Sequence, residues 1–134
     1  MAAVERFEEL MAWQAARGLA REIHVATGAG TWARDASLGD QANRAAAAIA
    51  GEIAAGFERG NRTEFHRHLS AAKGWCGELR SHLYIALDRE HMNEFEFGRL
   101  KGLADDVNRH VGGLRTAVAR QAEVQQVRRT TPDS

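Results

Sequence analysis

Six histidines and eighteen acidic side chains are the raw material for chemistry in this chain. A helical two-metal site needs Glu-x-x-His, which stacks two ligands on one helix face. Three residues after Glu64 stands Arg67, and three after Glu78 stands Ser81. His66 and His68 are two apart, so on a helix they diverge by about 200° and cannot hold one ion together. Glu64–His68, Glu78–His82 and Asp106–His110 are each spaced four apart and read as contacts along a helix surface. No metal ligand and no cofactor is expected.

Nucleophiles fare no better. Cys76 falls on an apolar seam, where burial raises a thiol pKa and leaves it a small hydrophobe. Ser70 and Ser81 have no base implied beside them. Gly28-Ala29-Gly30 lacks the following lysine and the strand-to-helix setting of a phosphate loop. The expectation is no catalytic residue, no small-molecule substrate and no enzyme activity.

Two other groups of residues remain. From Arg109 onward the chain carries Arg109, Arg115, Arg120, Arg128 and Arg129 against only Glu123 and Asp133. A basic helix end complements the macrodipole; the sharper reading is a phosphate-binding patch. Arg44, Arg59, Arg62 and Arg67 could form a second cluster. Candidate nucleic-acid contacts are therefore Arg44, Arg59, Arg62, Arg109, Arg115 and Arg120. Aromatics do not interleave with them, so stacking on single strands is not indicated. Trp75 lies between Gly74 and Gly77 in GWCGEL, a knob beside shallow grooves. Those three residues are a candidate subunit contact, with Trp75 as part of the internal core the alternative.

Helices must position these groups. Strand-like alternation is nearly absent, while apolar residues recur every three or four positions. Four segments emerge, at about 4–27, 38–59, 62–90 and 94–125. The first carries Phe7, Leu10, Trp13, Ala16, Ala20 and Ile23. A loop through Trp32 follows, and Ser37 is the expected cap of the second segment, with Leu38, Ala42, Ala45, Ile49, Ile53 and Phe57 inside. Asp40 and Arg44 stand in the favourable i,i+4 order. Gly60 stops that segment, and Asn61 and Asn93 cap the next two. In the third, Phe65, Leu69, Ala72, Cys76, Leu79, Leu83 and Ala86 form a heptad seam. The fourth has Phe97, Leu100, Ala104, Val107, Val111, Leu114 and Val118. The economical arrangement is all-α, an antiparallel up-and-down four-helix bundle over residues 1–127, with a flexible tail at 128–134.

Length and composition agree with one soluble domain: 134 residues, 44% hydrophobic, 27% charged. A net charge of zero advertises no nucleic-acid or membrane partner. One cysteine excludes an internal disulfide, and MAAVERFEEL has acids where a signal peptide needs an apolar run. A cytoplasmic protein is expected. Of thirteen glycines, nine fall inside the proposed helices past their first turn, each costing about 1 kcal/mol against alanine. Close approach between helices is the expected compensation, above all in RAAAAIAGEIAAGFER at 44–59.

The order of residues resembles the 23S rRNA intervening-sequence (S23-like) family. Its opening F..L..W..A is matched by Phe7, Leu10, Trp13 and Ala16. Its Q..RAA.SI..NIAEGF.R is matched by Gln41, Arg44, Ala45, Ala46, Ile49, Ile53, Ala54, Gly56, Phe57 and Arg59. Glu64, Phe65, Leu69, Ala72, Gly74, Glu78 and Leu79 follow at the family spacing. The chain departs at Ala48, Ala50-Gly51-Glu52, Ala55 and Trp75, where the family carries polar residues or proline. The resemblance implies a four-helix bundle that assembles with itself, as a homopentamer, and no enzyme activity. A similar fold in accessory proteins of diversity-generating retroelements forms basic pentamers that bind nucleic acid and a reverse transcriptase, so RNA or DNA is the alternative partner.

Overall fold

In the computed structural model residues 4–130 are described, with side chains as far as Gln121. Four helices follow one another: α1 Met11–Thr27, α2 Ala36–Glu58, α3 Arg62–Asp88 and α4 Glu94–Thr130. α1 packs on α2 and α4, and α3 packs on the same two, closing the bundle. Contacts across the helices fix an antiparallel register. Asn43 on α2 donates to Thr27 at the end of α1 at 2.8 Å. His68 on α3 faces Glu52 on α2 at 3.5 Å. Lys73 on α3 donates to Asn108 on α4 at 2.9 Å.

The heptad seam of α3 is the best-buried stripe. Leu69, Ala72, Cys76, Leu79, Leu83 and Ala86 are all at 0% exposure. Each leucine so placed contributes about 1.5–3 kcal/mol. Facing it are Ala42, Ala45, Ala46, Ile49 and Ile53 of α2 and Leu100, Ala104, Val107, Val111 and Val118 of α4. Phe57, Phe65, Phe97 and Leu114 close the edges, half-buried.

The first segment differs from expectation. Residues Phe7–Glu9 form a 3-10 turn and Leu10 is extended, so the helix begins at Met11 rather than at 4. The i+3 bonding of a 3-10 turn gives Phe7 and Leu10 the same spacing that a helix would. Phe7 folds back edge-on to Trp13 at 5.1 Å. Starting later, α1 buries Ala12, Ala16, Leu19 and Ile23, leaving Trp13 and Ala20 on its flank.

The loop after α1 is also structured. Gly30–Arg34 make a second 3-10 turn, which drives Trp32 to 1% exposure at the end of the bundle. α2 is capped by Asp35, whose carboxylate accepts from the Leu38 N–H, and not by Ser37. Arg44 makes no ion pair with Asp40 among the described residues. Asn61 and Asn93 cap α3 and α4 as expected, accepting from Glu64 N at 3.0 Å and Glu96 N at 2.8 Å.

α3 ends two residues early. Glu90 takes a left-handed φ of 61°, and the N–H groups of Glu90 and His91 return to the carbonyls of Leu87 and Ala86. That is a Schellman closure made without glycine. α4 runs on to Thr130, past the expected end at 125, and residues 131–134 of the expected tail lie outside the described residues.

Glycine packing holds at one strong point. A Cβ on Gly56 would lie 2.6 Å from the Cβ of His68 and 3.0 Å from Phe65, so α2 and α3 touch there. At Gly18, Gly51, Gly74, Gly77, Gly98, Gly102 and Gly113 an added Cβ meets nothing within 4 Å. Close approach inside the chain does not account for these seven.

Candidate functional site

The bundle brings part of the arginine set together. Arg59 is the exposed C-terminal cap of α2, and Arg62 opens α3. Arg62 donates to Gln121 on α4, beside exposed Arg120. One turn earlier on α4, Arg115 donates to Ser70 of α3 at 3.3 Å. Arg59, Arg62, Arg115 and Arg120 therefore share one end of the molecule. Arg67 is there too, paired with Glu64 at 3.5 Å. Arg44 lies elsewhere, one residue from the Asn43 that reaches Thr27 near the opposite end. Arg109 lies midway along α4 and pairs with Asp106.

Trp75 is half-buried against the core. The Glu52–His68 pair and the Gly56 contact set a register that places Trp75 across from the alanines at 45–48. That low-bulk run leaves room for an indole. Gly74 and Gly77 do not contribute to this packing, since a Cβ on either meets nothing.

Polar contacts between helices are few and specific. Asp105 on α4 takes Lys101 at 2.9 Å and Arg80 of α3 at 3.5 Å. The lysine hydrogen bond holds its carboxyl below the ordinary range. Arg99 of α4 bridges Glu96 at 2.7 Å and Glu22 of α1 at 3.4 Å. None of the three i,i+4 acid–histidine pairs forms an ion pair among the described residues; His68 turns to α2 instead.

One cluster has no counterpart in the sequence pattern. Asp35 Oδ2 receives Arg89 Nη1 and His91 Nε2, both at 2.8 Å. The His91 and Arg89 hydrogen bonds pull the Asp35 carboxyl down to about 2. An ionised carboxylate can only accept, so Nε2 carries the proton in the neutral ring. Nδ1 then accepts from the Thr31 hydroxyl at 2.9 Å. Trp32 stacks on the imidazole with centroids 6.1 Å apart and planes within 10°.

Carboxylate, imidazole and hydroxyl in that order are the parts of an acyl-transfer relay. Here the carboxylate is shared with the Arg89 cation, which offsets the charge an imidazolium would need. In the first turn of α2 the amides of Leu38 and Gly39 are bonded to Asp35, the first to its carboxylate and the second to its carbonyl. The arrangement is a clasp between the α1–α2 and α3–α4 connections. Its members lie 54 to 60 residues apart, so no local spacing announces it.

Cys76 is buried, and burial pushes its thiol up to about 11. Among the described residues no group of three His, Cys, Asp or Glu side chains could hold a metal ion, and no helix is long and apolar enough to cross a membrane. Among the described residues two buried side-chain polar atoms have no partner, Trp32 Nε1 and His82 Nδ1.

No curated protein matches the chain. The family described as 23S rRNA-intervening sequence protein matches residues 8–113, from the turn before α1 into α4. With the bundle and this span in agreement, the chain belongs to the 23S rRNA-intervening sequence protein family.

Proposed function

We propose that the protein is a non-enzymatic, cytoplasmic scaffold that assembles with itself into a ring of five. What carries this reading is apolar surface that one copy leaves open. Phe95 is 81% exposed, Met11 69% and Val25 61%. Left open in one copy, large apolar side chains can serve as anchors when a second copy covers them. The open glycines of α3 and α4, Gly74, Gly77, Gly98, Gly102 and Gly113, cost helix stability that internal packing does not return. Light scattering on a size-exclusion column tests the proposal: five chain masses support it, and a monomer at micromolar concentration ends it.

A second reading rests on the shared end of Arg59, Arg62, Arg115 and Arg120, which fits a phosphate backbone. It predicts binding to structured RNA or DNA that falls steeply with salt, with a shallower slope in Arg115→Gln/Arg120→Gln. Binding that ignores salt, or none, rejects it.

A further inference from the structure

The outward stripe of α2 is laid out symmetrically about Gly51. Ala47 and Ala55 stand four residues before and after it, Arg44 and Glu58 seven before and after. All five are exposed. At 100° per residue they share one narrow stripe, opposite the buried stripe of Ala42, Ala45, Ile49, Ile53 and Gly56. Neither Arg44 nor Glu58 has an ion-pair partner among the described residues.

We propose that this face is a two-fold contact with a second copy of the same chain, α2 against α2 and antiparallel, with Gly51 on the axis. Turning the helix about Gly51 brings Ala47 against Ala55 of the second copy, on both sides of the axis. It also brings Arg44 against Glu58 of the second copy, and Glu58 against Arg44. A parallel pairing would instead set arginine on arginine and glutamate on glutamate. The charge pattern therefore selects both the occupant and its direction. Small residues at the centre let the axes approach to about 8 Å, the near limit of helix packing. This gives Gly51 a use that nothing within its own chain provides, since a Cβ there meets no atom.

The contact goes beyond the ring. A closed ring joins two unlike faces, whereas this face is its own complement. One helix pair buries less than the roughly 800 Å² per partner of a standard interface, so the contact is reversible.

Oxidative cross-linking of single-cysteine variants in the full chain tests it residue by residue. The native thiol is silent because Cys76 is buried and its pKa is pushed up to about 11. Gly51→Cys, placed in open space, should form a disulfide dimer with itself. Ala47→Cys and Ala55→Cys should each cross-link poorly alone and readily when mixed. Adding Arg44→Glu to Gly51→Cys turns two attractions into repulsions, and the rate should fall about tenfold. Adding Glu58→Arg as well should restore it. Equal cross-linking at all three positions, or a double reversal that stays slow, overturns the proposal. Because the disulfide is read directly, a two-fold contact without a ring, or a ring without this contact, gives a distinct result.

Discussion

His91 Nε2 meets Asp35 Oδ2 at 2.8 Å, so a residue just past α3 holds the cap of α2. The same carboxylate bonds the Leu38 amide and the Arg89 guanidinium. One side chain thus ends a loop, starts a helix and ties two connections together.

Asp35→Asn should lower the melting temperature by a few degrees at neutral pH through loss of cap and clasp. The pH dependence has a fixed sign. The folded pKa of about 2 lies below the ordinary 3.8, so the stabilisation is present above pH 3.8 and is lost as pH falls towards 2. Melts across that window should converge for the native chain and Asp35→Asn. A constant gap would mean that the carboxylate charge is not what holds the clasp.

Gly56→Ala and Gly102→Ala should move stability in opposite directions. The first sets a methyl 2.6 Å from the His68 Cβ, an atom too close to the backbone to swing away. Urea denaturation should show a loss of about 1–3 kcal/mol. The second adds a methyl in open space and should gain about 1 kcal/mol in a monomeric state. If Gly102→Ala also weakens assembly, its bare backbone belongs to a subunit contact.

Trp32→Ala should cost about 3–5 kcal/mol, the usual range for emptying a fully enclosed aromatic site. Trp75→Ala, from a half-buried position, should cost clearly less. The comparison, by thermal or urea unfolding, reverses the emphasis that the sequence places on the two residues.

Cys76 should resist iodoacetamide at pH 8 in the folded protein and react at once in denaturant, because burial disfavours its thiolate. Fast labelling of the folded chain would mean that the α3 seam opens.

Much of this was legible in the residues. The seam from Leu69 to Ala86 and the caps at Asn61 and Asn93 depend on neighbours within a turn, and local spacing reveals them. No periodicity surrounds Trp32, so local spacing places it only in a loop; its burial comes from a 3-10 turn laid over the bundle end. The Ser37 cap gave way to Asp35 because Arg89 and His91, more than fifty residues on, decide where that carboxylate sits. Glu90 was unreadable for a related reason, since a left-handed helix ending usually announces itself with glycine. The arginines could be counted in advance, but only antiparallel packing separates Arg44 and Arg109 from the rest.

An even number of alternating helices returns the chain to the side from which it set out. α1 begins and α4 finishes at the end marked by Gly60, while the Asp35 clasp and Trp32 close the other. Anything that docks on that side of the bundle would therefore meet the start of α1, the Gly60 turn and the later turns of α4 together, beside Arg59 and Arg120.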